Sequence, residues 1–351
     1  MNRTEQFTRT LQTVANYNTD GLASFFSSEP SRPLLATASG GEFPAARFAS
    51  LLYNAAFGFA RAESPYTLNS VSDRTLRQGK LLIVSSSGHN QDADYIAARA
   101  TSLIPQHTAL LCNKLGDRNT AAAKINKVAD KGVHCFATSE ELSPKGFVAC
   151  SILSQAILYK SFVGQLRPID FDTEATFSYQ LNKSQEVAPA LSSFSHFVVL
   201  YGSWGEPAAV DFETRMVESG MASVQLSDYR NFCHGRFLFV SNHLGKKGCP
   251  ADTAVVLFVT PRERNVVDRL LALLPEGAPV ILIESRKDSP AATIELTMQG
   301  IRLFGGIGEA QGINPANPTS KGGIDKRDPQ NRILFKTDFK EFGALSLHTQ
   351  A

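Results

Sequence analysis

Apolar residues along this chain form short continuous blocks that end in glycine- and serine-rich turns, and these blocks alternate with longer segments of helical period. Residues 1–28 read as helical, with Phe7, Leu11, Val14 and Leu22 apolar and Phe25-Phe26 near the end. Pro33 to Thr37 reads as a short buried strand running into Ala38-Ser39-Gly40-Gly41, and Phe43 to Phe59 as an apolar, alanine-rich buried helix. Tyr66 to Val71 is expected to be a second strand, and Leu81 to Val84 a third that leads directly into Ser85-Ser86-Ser87-Gly88. A helix is expected over Asp92 to Leu103, a fourth strand over Thr108 to Cys112, a fifth over Val133 to Phe136, then a helix from about Lys145 to Phe162. Strand, glycine turn and helix in repetition imply parallel strands joined by crossover helices.

A polar, proline-containing stretch from Gln165 to Glu186 separates this half from a second one. The second half restarts with a strand at His196 to Tyr201, a turn at Gly202-Ser203-Trp204-Gly205 and a helix from Glu206. Further strands are expected at Phe237 to Val240, Ala254 to Val259 and Val280 to Ile283, with helices at Asn265 to Leu274 and Ala292 to Phe304. The shared order of the halves is a weak internal duplication. The expected fold class is α/β, two tandem three-layer αβα sandwiches with mainly parallel sheets. Boundaries are expected near 1–30 for an N-terminal helix, 31–180 and 181–310 for the two sandwiches, and 311–351 for a Gly/Pro/Asn-rich tail.

Composition narrows the class. The chain has 351 residues, 43% hydrophobic and 19% charged, enough for two cores. A net charge of +2 with dispersed basic residues gives no nucleic-acid footprint. No run of 18 apolar residues exists, so no membrane span is expected, and the polar N-terminus lacks the apolar core of a signal peptide. Five scattered cysteines without a CxxC pair suggest reduced thiols in a cytoplasmic protein, not a disulfide scaffold or zinc site.

The chemistry concentrates in two stretches. At Ser85–Gly88 a buried strand meets a helix, where backbone N–H groups, hydroxyls and the helix dipole favour an anion; the plain alternative is a serine N-cap. On the helix after Glu206, Asp211, Arg215 and Glu218 follow at steps of four and three, and His234-Gly235 comes sixteen residues after Glu218. A carboxylate, a cation and a histidine make an acid–base set if they meet; otherwise they are an ion-paired helix face followed by a loop histidine. Gly305-Gly306-Ile307-Gly308 follows a helix and is expected to be a helix C-cap, not a dinucleotide loop.

Over residues 30–321 the chain resembles a double sugar-isomerase (SIS) domain protein. In layout it is similar to the isomerase half of glucosamine-6-phosphate synthase and to aminosugar-phosphate deaminases and deglycases. Ser85 to Gly88 with Asp92 resembles the family's S-x-S-G phosphate loop, Ser143 to Phe147 its S-T-K-x-F helix start, and Pro207 to Glu218 with His234-Gly235 its acid–base segment. The tail from Gly312 to Lys321 has the family's length.

The resemblance implies a metal-free, cofactor-free phosphosugar isomerase, an aminosugar-phosphate deaminase/isomerase or a fructosamine-phosphate deglycase, acting by ring opening and C1–C2 proton transfer. It implies a homodimer with shared sites. Glu218 would shuttle the proton, His234 from the neighbouring subunit would assist ring opening, Arg215 would stabilise the oxyanion, and Lys321 would contact the carbonyl. Ser39, Gly40, Glu42, Ser85, Ser86, Ser87, Gly88, Asn90 and Lys145 would line the phosphate end. Glu42, Asn90 and Arg215 depart from the family pattern, which keeps a non-catalytic sugar-phosphate sensor as the alternative.

Overall fold

The computed structural model describes residues 3–86, 91–112, 127–137, 150–172, 178–180, 191, 193–244, 252–274 and 278–314. In chain order the elements are α1 (Arg3–Asn16), α2 (Asp20–Ser27), β1 (Leu34–Thr37), α3 (Phe43–Ala56), β2 (Ala60–Glu63), α4 (Pro65–Asn69), α5 (Asp73–Gln78), β3 (Lys80–Ser85), α6 (Gln91–Leu103), β4 (Thr108–Cys112) and β5 (His134–Ala137). There follow α7 (Cys150–Val163), β6 (Ser178–Gln180), β7 (His196–Tyr201), α8 (Glu206–Glu218), β8 (Ser223–Asp228), α9 (Phe237–His243), β9 (Thr253–Val259), α10 (Arg264–Leu273), β10 (Val280–Glu284) and α11 (Pro290–Ala310). They form two compact units, one on residues 17–137 and 160–164, the other on residues 3–16, 150–159 and 165–314.

The first unit holds a five-stranded, fully parallel sheet ordered β2-β1-β3-β4-β5. Its strands β1, β3 and β4 are buried along their whole length, as strands with helices on both faces must be. Leu35, Leu81, Ile83 and Leu110 pack with Ile96 and Ala100 of α6 on one face, while α3 packs on β1 and buries Phe48 and Leu52. The second unit repeats the order as β8-β7-β9-β10-β6, with only β6 antiparallel. Phe197, Val199, Val256 and Phe258 meet α8 and α11 on one face, and Val198, Leu200, Val255 and Leu257 meet α9 and α10 on the other. Each side-chain set alternates along its strand, as the two-residue period demands. The duplicated three-layer plan is therefore present.

Three expectations are corrected. Tyr66 to Val71 is not a strand: Ser64 accepts a hydrogen bond from the Thr67 N–H and Pro65 takes the first helical position, so α4 starts there, and β2 is Ala60–Glu63. Phe237 to Val240 is helical; only Val240 of α9 is buried, while Phe237 and Leu238 face outward. The missing strand is β8, whose SVQLSD sequence is mixed because it is the sheet's edge and half covered. Gly305 to Gly308 lies inside α11 and not at its end; that helix is buried over most of its surface and stops only before Gly312, whose φ of +67° suits a residue without Cβ.

Lys80 opens β3 with a fully buried side chain. Its Nζ donates to the carbonyls of Phe25 (2.8 Å), Phe26 (3.1 Å) and Ser28, so an amine from the sheet satisfies the last carbonyls of α2. Burial pulls its pKa from 10.5 to about 8. Between those pH values the unfolded chain holds a proton that the folded chain has released, so stability rises with pH across that window. Lys80→Met is expected to lower stability by about 3 kcal/mol, because several buried acceptors lose their donor at once. Urea melts would show a shifted midpoint and loss of that pH dependence.

Candidate functional site

In an open parallel sheet, ligands bind beyond the carboxyl ends of the strands where the order reverses. In the first unit that point lies between β1 and β3, since β2 flanks β1 on one side and β3 to β5 continue on the other. The chain leaves β1 through Ala38 and Ser39 into a 3-10 turn, Gly40–Glu42, that feeds α3. Gly40 has φ +55°, a left-handed conformation glycine adopts without Cβ strain. Ser39 Oγ donates to Asp92 Oδ2 at 2.8 Å, and Asp92 lies in the first turn of α6. That bond ties the loop after β1 to the helix after β3 across the reversal point.

Ser85 is the last residue of β3 and is buried; Ser86 follows, half-buried. Thr37, which closes β1 in register with Ile83, adds a buried hydroxyl with no hydrogen-bond partner among the described residues. Sequence reading gave Thr37 no role, because a threonine at a strand end is ordinary. Glu42 is 4% exposed and ends the turn at the head of α3. Hydroxyls at Thr37, Ser85 and Ser86 and carboxylates at Glu42 and Asp92 therefore belong to the strand ends and loops around the reversal point. Ser39 directs its proton to Asp92, which makes it a staple between the loops. Ser87, Gly88, Asn90, Lys145 and Lys321 lie outside the described residues, as does the tail to Lys321 beyond residue 314.

In the second unit Arg215 and Asp211 are both buried on α8, four residues apart. The guanidinium grips the carboxylate with two nitrogens, Nε to Oδ2 at 2.6 Å and Nη2 to Oδ1 at 3.1 Å. Nη2 also donates to Ser151 Oγ of α7 at 3.0 Å, and Ser151 in turn donates to Asp211 Oδ1. Glu218 is the last residue of the same helix and is exposed. His234 is exposed too, inside a wide turn, Phe232–Arg236, that departs from helical geometry at His234 and Gly235. Gly235 has φ +128°, so the His-Gly pair is a conformational requirement of the kink. Asp228, at the end of β8, caps the preceding turn through the N–H groups of Arg230 and Asn231, both at 2.9 Å.

The topology separates these two side chains. Helix α8 returns from the carboxyl end of β7 to the amino end of β8, leaving Glu218 toward that end. Six residues of β8 then carry the chain back before His234 is reached, a span of roughly 20 Å. Within one chain they lie toward opposite ends of the strands.

No protein-family model matches this sequence, and no curated protein does. Solved structures match it through the fold. The described architecture, two mainly parallel sheets with helices on their faces, is similar to that of the following structures. A candidate phosphosugar isomerase from Silicibacter pomeroyi aligns with a TM-score of 0.64 at 13% identity, covering 89% of this chain and 98% of that one. The C-terminal domain of glucosamine-fructose-6-phosphate aminotransferase from Francisella tularensis aligns with a TM-score of 0.57 at 13% identity, over 90% and 95% of the two chains. Glucosamine-6-phosphate deaminase from Thermotoga maritima gives 0.51 at 12% identity, over 90% and 97%. Among the described residues no helix is long and apolar enough to cross a membrane.

Proposed function

We propose that this chain is a phosphosugar isomerase, acting as an aminosugar-phosphate deaminase/isomerase or a fructosamine-phosphate deglycase. The observation that carries the proposal is the set of hydroxyl residues, Thr37, Ser85 and Ser86, at the β1/β3 reversal point, in a fold shared with proteins named for phosphosugars. Ser85 and Ser86, with the loop Ser87–Asn90 and Lys145, bind the phosphate. Glu218 takes the C2 proton of the opened sugar and returns it at C1, giving aldose–ketose exchange. His234 assists ring opening and comes from a second copy, since in one chain Glu218 and His234 lie toward opposite ends of β8. Lys321 contacts the open-chain carbonyl. The working form is a cytoplasmic homodimer.

A panel of hexose, hexosamine and fructosamine 6-phosphates tests this. Ser85→Ala is expected to raise KM about tenfold on the active substrate while kcat changes less than threefold, the pattern of a lost binding contact. An unchanged KM would remove the serine loop from the site. The competing reading, a non-catalytic sugar-phosphate sensor, draws on the Glu42 and Asp92 carboxylates near the reversal point. Calorimetric binding without turnover of any panel member would select it.

A further inference from the structure

His196 opens β7, and the two-residue period of the strand puts it in one row with Val198 and Leu200, which meet α9. It is the polar member of that row. Its ring lies against Phe239 of α9, with centroids 5.0 Å apart, and Phe239 in turn stacks on His243 at 4.0 Å. Phe239 packs beside the buried Val240 and Leu244, so the ring contact is part of the seat of the helix.

Hydrogen bonds fix which ring nitrogen carries the proton. Ser223, opposite His196 on β8, gives its one hydroxyl proton to the Ser195 carbonyl at 3.3 Å. Its oxygen therefore accepts from His196 Nδ1–H at 2.6 Å, which leaves Nε2 as the nitrogen without a proton. Nε2 is buried and has no hydrogen-bond partner among the described residues. A proton added there would make a buried cation whose new N–H has no acceptor in place. Burial accordingly holds the His196 pKa below 6.5; the Asp252 carboxylate opposes that effect and His243 adds to it. Thr253, which faces His196 from β9, does not titrate.

We propose that His196 is an acid-released latch on α9: neutral, it seats the helix against the sheet, and protonated, it lets go of the helix and of the Phe232–Arg236 turn that leads into it. With α9 lifted, the ring reaches water and takes a proton at the ordinary value of 6.5, so the closed form loses ground as pH falls below it. Above that range both forms carry a neutral ring and the latch holds. The turn bears His234, so release also displaces that histidine.

Hydrogen exchange of residues 237–244 in the full-length protein, corrected for the intrinsic pH dependence of exchange, tests this without a substrate. Its outcome therefore stands apart from the phosphosugar assignment. Wild-type protection should fall at least about fivefold between about pH 7.5 and 5.5. Helix α11, which packs on the other face of the sheet, should keep its protection. His196→Phe keeps a ring against Phe239 but cannot take a proton, and its α9 protection should not change with pH. His196→Asn, which keeps an N–H for Ser223, is the second non-titrating variant if the phenylalanine variant does not fold. His243→Gln leaves His196 in place and should keep the wild-type response. A wild-type helix indifferent to pH or an equal loss in α11 overturns the proposal. So does a response that survives in a folded His196 variant or disappears in His243→Gln.

Discussion

Glu218→Gln is expected to lower kcat on the active phosphosugar by about a thousandfold, while substrate binding by calorimetry changes less than threefold. The amide fills the same volume but cannot accept the proton, and general-base losses of this kind fall within about 10²–10⁴. Because Glu218 ends α8 as an exposed residue, the substitution touches no core packing, and the melting point should not move. An unchanged rate would take proton transfer away from this residue. Mixing Glu218→Gln with a His234→Ala variant adds a second readout. If His234 acts across a dimer, heterodimers carry one site with both groups intact, and part of the activity returns on mixing the two inactive proteins.

The second large effect concerns Arg215, and it is on stability. Its guanidinium is spent on Asp211 and Ser151 within the core of the second unit. Arg215→Met would strand the Asp211 carboxylate in a site where only 2% of the residue is exposed, at a cost of about 4 kcal/mol. Arg215→Met combined with Asp211→Asn should recover part of that loss, because no charge is then left unpaired. Arg215→Lys keeps the charge but loses the two-pronged grip, and an intermediate cost is expected. Urea unfolding of the three variants gives the order. A variant that melts like the wild type while losing turnover would return Arg215 to the substrate.

Much of the architecture was legible because parallel strands buried on both faces leave a plain signal. LLIV, HFVVLY and AVVLFV have nowhere to go but a sheet interior, and the turns after them announce the crossovers. The edge strand β8 was not legible, since a half-covered edge alternates weakly and its neighbour FLFV has the stronger apolar run. The glycines in Gly305–Gly308 misled because glycine ends a helix where its φ turns positive, as at Gly312, and these keep helical backbone. In the candidate site, the serine loop could be found from strand-to-helix spacing. The Asp211–Arg215 pair was visible as a helical interval, but not its burial, which depends on Ser151 sixty residues earlier in the chain.

The Lys80 bonds to the end of α2 carry a consequence for synthesis. They span 54 and 55 residues to Phe26 and Phe25, so the carbonyls of that helix stay with water until the ribosome has delivered β3. The N-terminal segment therefore has no finished form of its own while β1 and β2 emerge. It is completed in one event, when the first residue of the third strand arrives and brings the amine with it.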